Sequence, residues 1–418
     1  MANLFAVTDL VASEALRIAH ERSQFIKTTD LQYDSYYKDT GAKHGQSLRV
    51  KNPNQYTRRQ GSRVMAVQDQ DERTQTLTVA TQDGVDMRFN SAELIQSVDN
   101  GAAFNDLSKR YIAPAVSGLI SGIESDYIAF ATKATFNTAG TAGTPPTDLV
   151  AVGAARAKLN QGLAPKDGNR SIQYDSVNMG TIVNGLKGLF QDSGQIKEQY
   201  NEGMIGRTAM ADWYENDRMW TLTNTADVTC TMAAAAAVTD GALVSTNGFA
   251  MTMASLSVAP ATGAVFTVPG VYACHPETKA VLPGAPLQQF VITTGSTTIQ
   301  LVSPQIFLTG PRQNVCSAAG AQLTTATFDG TGIVPVFVGA ASTSYVQNLM
   351  YHKEAYQFIT ADLPLMDDAQ KCVRKVQEGL SIRVWMSSDI RNDELLMRLD
   401  ILYGMAAMRP YWGSRITM

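Results

Sequence analysis

The sequence predicts an α+β chain whose body is interrupted by an all-β module, and three observations carry that expectation. Charge almost vanishes over residues 222–345, where Asp227, Asp240, Glu277, Lys279, Arg312 and Asp329 are the only charged residues. Upstream, Leu107, Tyr111, Ala115, Leu119, Ile123 and Tyr127 recur every fourth residue and set one apolar stripe along a helix. Near the end, Leu380, Ile382, Val384 and Met386 alternate with polar residues, turn formers follow at 389–393, and 395–401 alternates back, which predicts a hairpin.

Taken in order, residues 8–22 have helical periodicity. Residues 45–86 read as a long projecting hairpin: Leu48 and Val50 alternate, a basic, proline-broken stretch covers 51–63, an apolar run covers 64–67, the polar tip is 68–75, and Leu77 and Val79 return. The long helix follows, and Pro114 either kinks it or marks its first turn. Helices are also expected at 148–161 and 179–190. Within the charge-poor segment, the β-branched runs 264–268, 289–293, 298–302 and 333–338, bounded by Gly, Pro, Ser or Thr, read as short strands of a sandwich or barrel. The flanks, 1–221 and 346–418, are expected to fold together around this insertion.

Composition narrows the function. The chain has 418 residues and only 17% charged residues, below the roughly 25% of an ordinary soluble domain, so part of its perimeter is expected to be covered by copies of itself. A net charge of −4 argues against a dedicated nucleic-acid binder. Cys230, Cys274, Cys316 and Cys372 lack paired spacing and read as reduced core thiols rather than a disulfide or zinc framework. No basic n-region with an apolar run opens the chain, and no stretch is apolar enough to span a membrane, so cytoplasmic synthesis is expected.

Motifs for catalysis are absent: no phosphate-binding loop, no H-E-x-x-H, no C-x-x-C, no nucleophile elbow. His20, His44, His275 and His352 stand apart from acidic or cysteine neighbours at ligand spacing, so neither a metal nor a cofactor is expected. Cys274 and His275 are adjacent, but neighbours on a strand point to opposite faces. The chain is therefore expected not to be an enzyme.

The strongest charge pattern lies on the projecting hairpin. Lys51, Arg58, Arg59 and Arg63 form a basic strip, and Asp69, Asp71 and Glu72 follow at the tip. A phosphate-contacting strip with Tyr56 as a stacking surface is one reading. The acidic tip would repel DNA, so docking on a neighbouring copy through bidentate arginine pairs is the favoured one.

This order of parts (helical arm, charged hairpin, spine helix, mixed region, closing hairpin) resembles the HK97-type capsid fold. A narrower resemblance, to coat proteins of short-tailed phages of the Salmonella type, rests on three stretches. They are Asn348-Leu349-Met350-Tyr351-His352-Lys353-Glu354-Ala355-Tyr356 with Leu363-Pro364-Leu365; Gly379-Leu380-Ser381-Ile382-Arg383-Val384; and Arg398-Leu399-Asp400-Ile401-Leu402-Tyr403-Gly404 with Arg409-Pro410. The resemblance implies an N-terminal arm at 1–42, an E-loop at 43–88, the spine helix with part of the P domain at 89–147, and the A domain at 148–221 with its return at 346–371. It also implies an inserted β-barrel domain at 222–345 and a P-domain hairpin at 372–418. It implies a major capsid protein that assembles into an icosahedral head in the host bacterial cytoplasm, through a precursor that expands. Implied partners are copies of itself in pentamers and hexamers, a scaffolding protein, a portal protein and packaged double-stranded DNA, without covalent crosslinks. Gly101, Gly118 and Gly122, in or beside the spine, are candidate hinges; the other reading of Gly118 and Gly122 is close helix packing. The rival functions are an encapsulin-like compartment, which the insertion argues against, and a β-rich adhesin or decoration protein, which would place the module at an end or repeat it.

Overall fold

The computed structural model describes residues 4–31, 47–61, 63–65, 67–68, 74–90, 108–186, 206–226, 230–232, 249–328, 333–366, 371–377, 379–389 and 391–418. The chain begins with α1 (Leu4–Arg22) and α2 (Phe25–Thr28), then β1 (Ser47–Lys51), β2 (Thr74–Thr78) and β3 (Thr81–Asn90). A π-helical turn at Ser108–Ile112 leads into α3 (Ala113–Ala134), and Pro114, which cannot donate to the preceding turn, stands where the one passes into the other. Next come β4 (Thr138–Gly140), α4 (Val150–Gln161), β5 (Arg170–Asp175), α5 (Ser176–Leu186), β6 (Arg207–Thr208), β7 (Ala211–Asn216) and β8 (Thr221–Thr223). Among the described residues, seven strands follow without an α-helix: β9 (Thr231–Met232), β10 (Phe249–Ala254), β11 (Val265–Ala273), β12 (Leu287–Thr294), β13 (Ile299–Ser303), β14 (Val315–Cys316) and β15 (Val336–Phe337). The chain closes with β16 (Ser344–His352), β17 (Tyr356–Ala361), β18 (Lys371–Gln377), β19 (Leu380–Asp389), β20 (Glu394–Ala407) and β21 (Gly413–Thr417). The fold is α+β.

These elements form two compact units, one of Met1–Val50, Thr74–Tyr127 and Tyr356–Met408, the other of Lys51–Arg73, Ile128–Ala355 and Arg409–Met418. In the first, β20 is the central strand. It pairs with β19 and β17 along one edge and with all ten residues of β3 along the other, from Glu394 opposite Asn90 to Tyr403 opposite Thr81. The alternation that predicts β19 and β20 is the alternation that seats Leu380, Ile382, Val384, Leu399 and Ile401 in the interior. An aromatic row, Phe25, Tyr127, Phe358 and Tyr403, continues the core with centroid spacings of 4.7, 5.3 and 5.4 Å. Buried Glu124 on α3 accepts the Gln24 and Phe25 N–H groups and so closes the open end of α2. Arg383 and Asp400, both buried, pair at 2.6 Å across β19 and β20.

The second unit holds two sheets. One runs β4-β21-β16-β5-β7-β6 with β8 on β16, and α4 and α5 pack against it around Val152, Leu159, Ile172, Tyr174, Ile182 and Trp213. The other runs β14-β11-β12-β13-β10-β9 with β15 on β11, and encloses its own core of Phe266, Val268, Phe290, Ile292, Val302, Ile306 and Phe337. A register shift between Thr267 and Tyr272, with Gly270 at φ +83°, bends β11 so that its first half pairs β15 and its second half β14. That coils the sheet around its core; among the described residues no pair closes β9 onto β14, so the hydrogen-bonded path stays open where a barrel is expected.

Three expectations of layout change. Val64–Val67 is not a strand: β1 and β2 pair at the root of the projection, and no strand forms among the described residues of 52–73. Strand β17, expected with the return segment 346–371, joins the β20 sheet, because β20 is long enough to extend past β19 and offer it a free edge. Strand β21, expected in the closing hairpin 372–418, pairs β16 and β4 in the other unit.

Candidate functional site

Lys51, Arg58, Arg59 and Arg63 are all exposed. Gln68 shapes the loop between them: its side-chain amide accepts from the Thr57 N–H at 2.8 Å and donates to the Thr57 carbonyl at 2.7 Å. One side chain thus replaces a rung of a β-ladder, and Gly61, at φ +77°, takes the left-handed turn inside the closed loop. Arg58 donates to Gln60 Oε1 at 3.0 Å and Arg59 to the Val64 carbonyl. No described carboxylate pairs with Arg58, Arg59 or Arg63, so their charge is open to a partner. Asp69, Asp71 and Glu72 lie outside the described residues, as does Gly101.

Beside the arginines stand side chains that reading the sequence took for a strand. Val64, Met65 and Val67 are 77%, 78% and 82% exposed, and Tyr56 is 55% exposed. Apolar groups this open, interleaved with guanidinium groups, make a contact surface, since covering each aliphatic chain is worth about 1.5–3 kcal/mol. The signal was present in the sequence: an apolar run with no period-2 alternation, flanked by charge on both sides.

Gly118 and Gly122 lie on the exposed side of α3, and a Cβ built on either meets nothing within 4 Å. Among the described residues, therefore, close helix packing is not what they serve.

The root of the inserted sheet is the second polar site, and sequence reading missed it. Arg415 on β21 is fully buried; its Nη1 donates to the Gly263 carbonyl at 2.6 Å, its Nη2 reaches the Lys133 carbonyl at 3.4 Å, and it faces the Trp220 ring at 6.0 Å. Gly263, at φ +92°, lies so close to Trp220 that a side chain there would strike the ring. Gln289 on β12 accepts from the Thr138 N–H at 2.8 Å and donates to the Thr138 carbonyl at 3.1 Å, and it accepts from Lys158. Burial of Lys158 pushes its ammonium down to about 8. The insertion is thus held by directional polar bonds, which fix orientation where apolar contact alone would allow sliding.

Elsewhere, His352 on β16 is buried, accepts from the Glu354 N–H through Nδ1 and approaches Asp167 at 3.1 Å through Nε2. Burial acts to raise the Asp167 carboxyl, but the Asn169 N–H groups and His352 outweigh it and hold the group at about 2. His275 Nδ1 accepts from the Glu277 and Thr278 N–H groups rather than facing Cys274. Among the described residues no three His, Cys, Asp or Glu side chains converge as a metal site, and no helix is long and apolar enough to cross a membrane.

Comparison with known proteins follows this geometry. No curated protein matches the sequence. Among solved structures, one of Mycobacterium phage Che8 is similar at 10% identity and a TM-score of 0.46, covering 94% of this chain and 90% of that one. The capsid structure of the cyanophage P-SCSP1u is similar at 9% identity and a TM-score of 0.41, covering 90% and 83%. A virus-like particle from Pyrococcus furiosus is similar at 7% identity and a TM-score of 0.40, covering 98% of each chain. The family described as "P22 coat protein - gene protein 5" matches residues 102–417, most of the sequence and both sides of the insertion. The chain belongs to the P22 coat protein family and is a major capsid protein of a tailed phage, a subunit of the head shell.

Proposed function

We propose that copies of this chain form pentamers and hexamers in which the arm, residues 45–86, lies over an adjacent subunit. The observation that carries this reading is the exposure of Val64, Met65 and Val67 beside Arg58, Arg59 and Arg63, three exposed arginines that pair with no carboxylate among the described residues. Bidentate arginine pairs and the covered apolar groups supply modest energy per contact, and repetition over a closed lattice turns it into an effectively irreversible shell.

In this reading the fold is of the HK97 type and the chain is structural rather than catalytic. A scaffolding protein templates a rounder precursor in the host bacterial cytoplasm, a portal protein occupies one vertex, and double-stranded DNA touches the inner surface without sequence preference. Expansion bends the spine region at Gly101, Gly118 and Gly122, where the open space around the latter two leaves the helix free to flex.

Sedimentation and negative-stain imaging of the purified chain, alone and co-expressed with its scaffold, test the reading. Closed particles tens of nanometres across are the expected result; a persistent monomer under both conditions refutes it.

A further inference from the structure

Two cysteines far apart in sequence meet in the inserted sheet. Tyr272 on β11 stands opposite Cys316 on β14, Ala273 opposite Val315, and the ladder continues with the Cys274 N–H donating to the Asn314 carbonyl at 3.1 Å. Val315 faces the module's apolar core, so Cys316 and Cys274 share the other face as a diagonal pair. Both are buried and both are free thiols. A short hairpin covers them: Cys274 bridges Val281, the His275 N–H donates to the Ala280 carbonyl at 2.8 Å, and Lys279 turns the tip at φ +58°.

We propose that Cys274 and Cys316 are a redox site that closes to a reversible disulfide, with hydrogen peroxide as the oxidant. The thiolate of Cys274, the less deeply buried of the two, attacks a peroxide oxygen. The O–O bond breaks, the first water leaves and Cys274 becomes a sulfenic acid. Cys316 then attacks that sulfur, the S–S bond forms and the second water departs. The thiol pair loses two electrons and two protons, and the peroxide is reduced to two waters.

Environment sets the rate. Burial pushes the Cys274 thiol far above its usual range, and the neighbouring Cys316 thiol adds to this, while the Lys279 ammonium favours the thiolate. Reaction therefore waits on opening of the 275–282 hairpin, which lets the Cys274 thiolate form. Diagonal Cα separations of ~7–8 Å lie at the outer reach of a disulfide, so closure draws the two-residue β14 toward β11 and leaves a bond that a mild reductant reopens. Such a pair stays reduced in a cytoplasm and oxidises outside a cell, where a shell is exposed to oxidants.

The test uses assembled particles or the purified full-length chain. After hydrogen peroxide and catalase quenching, the protein is denatured, alkylated and digested without reductant for mass spectrometry. The expected result is a Cys274–Cys316 peptide pair lighter than its sum by two hydrogens, in most chains, lost on adding dithiothreitol. In Cys316→Ser, Cys274 should instead stop at a sulfenic acid that dimedone captures. Recovery of both cysteines as separate alkylated thiols, their conversion to sulfonic acids only, or linkage solely to Cys230 or Cys372 overturns the proposal. If the serine variant does not fold, the wild-type peptide map alone decides.

Discussion

Replacing Arg415 with alanine should loosen the inserted module from the sheet that carries it. The side chain is fully buried and its Nη1 bond to the Gly263 carbonyl, at 2.6 Å, is short and charge-assisted. Such a bond contributes about 1.5–3 kcal/mol, and the carbonyl left behind in a dry site costs about 1–3 kcal/mol more. The bond to the Lys133 carbonyl, at 3.4 Å, adds little. Truncation also leaves a cavity beside Trp220, and the relief from burying one charge fewer offsets part of the loss, so Arg415→Ala should cost about 3–5 kcal/mol. Arg415→Met, which fills the space without the donors, should fall between alanine and the parent. Urea unfolding followed by tryptophan fluorescence is a direct assay, because Trp220 sits against Arg415. A separate early transition of the module is expected in the alanine variant. A loss under ~1 kcal/mol in the alanine variant, or methionine behaving like the parent, would refute the view that directional bonds to Gly263 anchor the insertion.

Other outcomes follow from the same reasoning. Arg383→Ala should cost about 3–5 kcal/mol by stranding Asp400, whereas Arg383→Met with Asp400→Leu should recover most of it in thermal unfolding. Gly404 packs its Cα against the Thr78 carbonyl and Val79, so Gly404→Ala should cost about 1–3 kcal/mol and show a lower urea midpoint. Asp167 titrates at about 2 in the fold against 3.8 when free, so its contribution is complete above the free value and fades as pH falls toward the lower one. Asp167→Asn should accordingly destabilise the protein at pH 6 and make no difference at pH ~2, as read by acid unfolding. Reversing both Arg58 and Arg59 to glutamate should leave the circular dichroism spectrum of the subunit unchanged and abolish closed particles in electron micrographs.

How much of this was legible depended on whether a residue's role was local. Period-2 alternation of residue type marked the β19–β20 hairpin although Leu380–Val384 and Leu399–Gly404 are buried on both faces, and α3 has one buried stripe, so its fourfold recurrence marked it. Strand β21 is buried at all five positions, so no alternation exists to find, and its pairing with β16 is a long-range event that nothing in Gly413–Thr417 announces. The arm's charges were visible as a cluster, but Gln68 was not visible as a clasp, because its partner is a backbone group eleven residues away. Cys274 and Cys316 could not have been paired, since only the bend in β11 brings β14 alongside.

The joint between β3 and β20 has a mechanical meaning. All ten residues of β3 lie antiparallel along β20, and β2 feeds directly into the start of β3 at Thr81. A pull directed along β3 loads every rung of that ladder at once, in shear, instead of unzipping the rungs one after another as a pull across the strands would. The same number of hydrogen bonds then yields a much higher rupture force, so strain delivered through β2 should leave β3 seated in its sheet.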